Sequence, residues 1–226
     1  MEKLKINGED LEDLIVQIED SFKVRFESEE IQNNFSIEEL ANLVISKLEL
    51  KEGIECSSQI TFFRLRRLLA DKLSMANQTI DLDTELKTLF PPKNRRNEWQ
   101  RVFADFEFQA PKLEPPREIF LSAILIAIIS FMLTLFEFWR FGFPLFFLSS
   151  FTIVLCIKFG RSLPSRTMRQ LVENIVKHDY HATRQTYGTY NPAELRTTIF
   201  SLLTDLLTPK EKQGADLKTR IDYIED

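Results

Sequence analysis

The sequence predicts an all-α chain in which a two-helix transmembrane hairpin is set between small water-soluble helical bundles. Three observations predict it: eighteen charge-free residues from Ile119 to Phe136, an apolar run of seventeen from Phe141 to Ile157, and apolar residues at helical spacing before and after both. The chain has 226 residues, 44% hydrophobic and 28% charged, which suits a globular rather than a disordered protein. That average hides a partition, because between Ile119 and Ile157 only Glu137 and Arg140 carry charge.

In the first segment Leu11, Leu14, Ile15, Ile18 and Phe22 recur on one helical face, and Val24, Phe26 and an acidic turn at residues 27–30 follow. Ser36 with Glu39 three residues on reads as a capping box, opening a helix whose apolar face is Ile37, Leu40, Leu43, Val44 and Leu48. From Ile60 to Phe90 the pattern is a helix carrying Phe63, Leu65, Leu68, Leu69 and Leu73, then a loop with Ile80 and Leu86. Proline-stiffened joins at Pro91-Pro92 and Pro115-Pro116 set apart a helix from Trp99 to Phe108, with Val102, Phe103, Phe106 and Phe108 toward one side. Such a helix suits a bilayer surface or the cap of a bundle.

The first apolar run, at about 1.5 Å per residue, reaches roughly 27 Å, close to the hydrocarbon thickness. The second holds Gly142 and Pro144 near its start, where the first-turn N–H groups need no helical partner. The short turn Glu137-Phe138-Trp139-Arg140 makes the spans antiparallel neighbours. Lys93, Arg95, Arg96, Arg101, Lys112 and Arg117 precede the hairpin and Lys158, Arg161, Arg166 and Arg169 follow it, so both soluble parts are expected on the cytoplasmic side of a bacterial inner membrane. No ionisable residue lies inside either span, and Ser122, Ser130, Thr134, Ser149, Ser150 and Thr152 can bond backbone or a neighbouring helix. An anchor is the expectation; an oligomeric channel-like hairpin is an alternative without a polar ring to line it.

After the hairpin, Thr167 to Tyr180 reads as an amphipathic helix, and a turn leads to a further helix starting at Pro192. The segment Leu195 to Asp226 carries Ile199, Leu202, Leu203 and Leu206. The expected segments are 1–90, a linker and juxtamembrane helix at 91–118, the hairpin at 119–158 and a helical region at 159–226.

Residues 1–50 hold thirteen acidic against five basic side chains, whereas residues 158–184 hold six basic against two acidic. A basic flank beside a bilayer is a topology and headgroup feature, so no nucleic-acid partner is expected. Cys56 and Cys156 sit in unlike settings and form no metal-type spacing. Such thiols suit a reducing compartment, and the opening MEKLKINGEDLEDL lacks the apolar core of a signal peptide, so the first part is expected in the cytoplasm. His178 and His181 lack a convergent third ligand and read as surface histidines. The sequons at Asn34 and Asn77 have no meaning in a cytoplasmic segment. There is no Walker loop, GxSxG or HExxH motif, and no enzyme, metal or cofactor is expected.

The stretches DLIVQIEDSF, Asp13 to Phe22, and FSIEELANLV, Phe35 to Val44, resemble the second and last helices of the acyl carrier protein family. Ile60 to Phe90 and Leu195 to Asp226 are each similar to that family's first helix and long loop. In this register the family's attachment serine falls on Gly8, so the resemblance implies a degenerate carrier without its modifiable hydroxyl. The alternative is a genuine carrier with phosphopantetheine on Ser21, which would require the poorly periodic FKVRFESEEIQ to be the second helix. Two packings stay open: residues 1–50 with the helix of 60–90, or with the C-terminal fragment. Generic amphipathic helices are the third reading.

The resemblance further implies that Glu9, Asp10, Glu12, Asp13, Glu19 and Asp20 form a surface for a protein partner, an acyl-transfer or lipid-modifying enzyme being one class. As a charge run alone they read as a solvated face. Arg64, Arg66 and Arg67 offer an internal counterpart. The expected function is non-enzymatic: recruitment of a protein partner to the cytoplasmic membrane face.

Overall fold

The computed structural model describes residues 3–27, 29–31, 34–104, 106, 108, 111–135, 139–185 and 188–224. Helix makes up 65% of it. In chain order the first elements are β1 (Lys3–Asn7), α1 (Gly8–Phe22), β2 (Phe35–Ser36), α2 (Ile37–Lys47), β3 (Lys51–Glu52), α3 (Ser57–Leu73), α4 (Leu86–Leu89) and α5 (Arg95–Phe103). Then come α6 (Arg117–Leu135), α7 (Trp139–Lys158), α8 (Met168–His178), α9 (Tyr180–Gln185), β4 (Thr189–Tyr190), α10 (Pro192–Leu206), α11 (Pro209–Lys212) and β5 (Arg220–Ile224). The chain divides into two compact units, Met1–Leu82 with Phe106–Ala110 and Arg169–Asp226, and Asp83–Asp105 with Pro111–Met168. The spatial grouping runs across the linear segments, since the chain leaves the first unit for the hairpin and returns.

In the first unit, Asn7 caps α1 by accepting from the Glu9 N–H at 3.3 Å. The helix ends with Lys23 in the left-handed region at φ 54°. Its buried stripe is Leu11, Leu14, Ile18, Ser21 and Phe22. The capping box of α2 is formed: Ser36 Oγ accepts from the Glu39 N–H at 3.1 Å, and Glu39 accepts from the Ser36 N–H at 2.6 Å. That backbone bond, then the Ser36 hydroxyl, with Arg220 adding attraction, holds the Glu39 carboxyl below its ordinary value of 4.5. Of the two packings open from the sequence, the chain adopts the second: α10 packs against both α1 and α2, while α9 packs against α1 and α3. Leu195, Ile199, Leu202 and Leu203 of α10 are buried, each side chain contributing about 1.5–3 kcal/mol of transfer free energy.

Short strands modify the all-α expectation. β1 pairs in parallel with β5, aligning Leu4 with Ile221 and Ile6 with Tyr223, and β5 also pairs antiparallel with β2, which places Phe35 opposite Ile221. Leu4, Ile6, Phe35 and Ile221 are buried, so this small sheet seals one side of the helical core. A second parallel pair joins β3 and β4, with Lys51 opposite Thr189.

The face of α3 is also corrected. Its buried residues are Ser57, Thr61, Leu65, Leu69 and Ala70, whereas Phe63 is 53% exposed. The first four lie on one i, i+4 row, and Phe63, two residues from Thr61 and Leu65, points away from it.

In the second unit, α6 and α7 form the hairpin. Their contact is built from small residues: Ala123, Ser130, Gly142 and Ser149 are buried. A Cβ on Gly142 would lie 2.8 Å from the Ser130 carbonyl oxygen, so only glycine permits this approach. Just 11% and 17% of the most apolar windows of α6 and α7 are buried, and both helices are long and apolar enough to cross a membrane. Helix α7 begins at Trp139, earlier than the apolar run, so Pro144 is its sixth residue and denies the Arg140 carbonyl a helical bond. Glu137 and Phe138 of the expected turn lie outside the described residues.

Two boundaries move. The helix expected to run from Trp99 to Phe108 is α5, ending at Phe103, and the one expected from Thr167 to Tyr180 breaks at Asp179 into α8 and α9.

Candidate functional site

On α1, Glu9, Glu12, Asp13, Val16 and Asp20 follow the i, i+3, i+4, i+7, i+11 spacing of one face, opposite the buried stripe, with Asp10 beside them. The carboxylates of Glu9, Asp10, Glu12, Asp13 and Asp20 are all exposed. Glu19 is not part of this surface. Its side chain is 12% exposed and accepts from the Phe26 N–H at 2.7 Å and the Arg25 guanidinium at 2.6 Å, closing the chain's exit from the helix. Val16, missed by sequence reasoning because it lies off the core stripe, is 54% exposed in the middle of the acids.

The charge arrangement on α1 is not what helix stability requires. Glu9 and Asp10 in the first turn suit the positive end of the helix dipole, but the last turn holds no base. An acid at that negative end, as Asp20 is, costs about 0.3–1 kcal/mol.

Ser21 points the other way. It is fully buried, its hydroxyl donates to the Lys177 carbonyl at 2.8 Å, and it accepts from the Tyr180 N–H at 3.3 Å. Phe22 packs on the Tyr180 ring with centroids 4.9 Å apart. The Tyr180 hydroxyl accepts from the Asn191 N–H at 3.2 Å, and burial pushes its pKa above the ordinary 10.0. Asn191 caps α10 through the Ala193 and Glu194 N–H groups. Glu194 in turn accepts from the Ser57 N–H at 2.9 Å and the Ser57 hydroxyl at 2.7 Å, supplying α3 with the cap that Cys56 does not. Buried Arg184 donates to the Glu55 carbonyl at 2.6 Å. These polar groups tie α1, α9, α10 and α3 together, while Nε and Nη1 of Arg184 are buried without a hydrogen-bond partner among the described residues. They form a structural joint with Ser21 inside it.

Between α3 and α8 lies a cavity of about 390 Å³ lined by Phe62, Phe63, Leu82, Val172, Cys56 and Arg169, which accounts for the position of Phe63 off the core. Both cysteines are free. Among the described residues no group of three or more His, Cys, Asp or Glu side chains is placed to hold a metal ion. His178 and His181 fall on separate helices, α8 and α9. Arg64 lies over the Phe108 ring at 5.6 Å, and Arg66 donates to the Asn77 carbonyl at 2.5 Å.

Compared with known proteins, the chain matches no family model, no curated protein and no solved structure. The acidic face of α1, with Val16 exposed among its carboxylates, is the candidate site.

Proposed function

We propose that this chain is a non-enzymatic recruitment protein: its hairpin anchors it in a bilayer, and the acidic face of α1 holds a protein partner at the cytoplasmic membrane surface. The observation that carries this reading is the row of exposed carboxylates around Val16, continued to Asp20 against the helix dipole. A single-sign stripe steers a basic surface into register, and a central apolar residue provides the desolvated contact. The carrier-like reading favours an acyl-transfer or lipid-modifying enzyme as the partner. In that reading Gly8, directly after the Asn7 cap, stands where a carrier has its serine, so α1 keeps a recognition face without a pantetheine arm.

The test is crosslinking in native membranes followed by pull-down of the parent and of a Glu9→Lys, Glu12→Lys, Asp13→Lys variant. A partner captured by the parent, lost from the variant and weakened by salt is the expected result. Equal capture by both sinks the proposal, provided circular dichroism shows the variant folded. An intact mass raised by phosphopantetheine would replace it with the carrier alternative.

A further inference from the structure

The hairpin unit brings cations from separate segments to one place at the end of the spans. The residues before α6 and after α7 are stapled by paired backbone bonds, Glu114 N–H to the Ser162 carbonyl at 2.9 Å and Ser162 N–H to the Glu114 carbonyl at 3.0 Å. Gly160 permits this, since a Cβ there would sit 2.6 Å from the Glu114 oxygen. Helix α5 is laid against the staple: Arg95 donates to the Arg161 carbonyl at 2.9 Å and to the Phe90 carbonyl at 2.9 Å. Trp99, one turn further along the same face, donates to the Pro111 carbonyl at 3.0 Å.

The consequence is a convergence of like charge. The Arg96 guanidinium lies 5.1 Å from the centre of the Phe159 ring, and the Lys158 ammonium lies 6.0 Å from the same centre. Arg161 follows two residues later, and Lys112 and Arg117 flank the staple. None of Arg95, Arg96, Lys112, Arg117, Lys158 and Arg161 has an ion-pair partner among the described residues, although the same unit pairs Lys87 and Arg166 with Glu85. Glu98, Glu114 and Glu118 belong to the same segments but form no ion pair with these cations, which repel one another beside the half-exposed ring, and a bound anion would relieve that repulsion.

Position selects the anion. Lys158 is the last residue of α7, where the apolar surface stops, so in a bilayer it lies at headgroup depth beside the aromatic ring. We infer that Arg96 and Lys158 beside Phe159 form a binding site for the headgroup phosphate of an anionic phospholipid. This rests only on the anchoring part of the function proposed above and is independent of the acidic face of α1.

The experiment uses the full chain in mild non-ionic detergent, with native mass spectrometry reading the binding of dioleoyl phosphatidylglycerol against dioleoyl phosphatidylcholine. The expected result is preferential binding of the phosphatidylglycerol, reduced on the order of tenfold by Arg96→Gln with Lys158→Gln. Lys210→Gln with Lys212→Gln, on α11, serves as the control and leaves it unchanged. Equal binding of both lipids by the parent, or equal loss in the control, overturns the inference. Displacement of the lipid by millimolar inorganic phosphate also overturns it, by making the site one for free anions. Alkaline extraction of native membranes separates the failures: release of the chain into the supernatant removes the anchor and this site together, whereas retention without lipid preference removes the site alone.

Discussion

Leu69 on α3 and Leu148 on α7 have the same side chain and opposite surroundings, the first fully buried and the second 62% exposed. The difference extends to their whole regions. In the first unit Leu14, Ile18, Leu65 and Ile199 are inside and the carboxylates outside, whereas in the hairpin Ser130 and Ser149 are inside and Phe147, Leu148 and Phe151 are outside. The first pattern is driven by removing apolar surface from water. The second gains nothing from burying leucine when the medium is hydrocarbon, so close backbone approach and dispersion decide which residues meet.

The largest expected effect tests this contrast directly. Leu69→Ala should destabilise the first unit by about 2–5 kcal/mol through cavity formation, while Leu148→Ala should cost below about 1 kcal/mol in a bilayer or micelle. Urea unfolding of the full chain in detergent, followed by circular dichroism, measures both, and equal losses would break the comparison. Gly142→Leu should cost about 1–3 kcal/mol by forcing the hairpin helices apart. Differential scanning fluorimetry in detergent would detect it, with the exposed Phe147→Leu as the neutral control.

Within the first unit the comparison narrows to two neighbours on α1. Ser21→Ala should cost about 1–3 kcal/mol because it strands the Lys177 carbonyl and the Tyr180 N–H in the interior. Asp20→Asn should do the reverse, raising stability by about 0.3–1 kcal/mol at low salt while weakening partner capture. Chemical melts beside a pull-down separate these outcomes; loss of stability in Asp20→Asn would remove the case for a binding role.

The smallest effect is a pH dependence at the α2 cap. The Glu39 carboxyl titrates below its ordinary 4.5 in the folded chain, so its stabilisation is complete above that value and is lost as pH falls through the lower folded value. The stability difference between the parent and Glu39→Ala should therefore be constant near neutrality and shrink in acid. A difference that widened on acidification would contradict the capping box as the source.

Much of this was legible in the chain. The α1 stripe, the Ser36 capping box, the start of α10 at Pro192 and the apolar runs that become α6 and α7 all follow from local spacing or caps. The missed features were non-local. β1 and β5 pair residues from opposite ends of the sequence, and two-residue strands such as β3 are too short to show a period. Val16 was passed over and Phe63 misplaced because periodicity identifies a row but not which neighbour covers it. Glu19 looked like one more surface acid until the returning chain placed the Phe26 N–H against it.

The sequence by itself determined the capped starts of α2 and α10, that two helices are apolar enough for a membrane, and that α1 is acidic on one side, because caps, periodicity and charge act over a few residues. Only the tertiary structure decided that Ser21 is enclosed by Tyr180 and Lys177, that Glu194 caps α3, and that Arg96 comes to the same Phe159 ring as Lys158. Those contacts join residues far apart along the chain, and their free energy depends on burial and geometry that no local window contains.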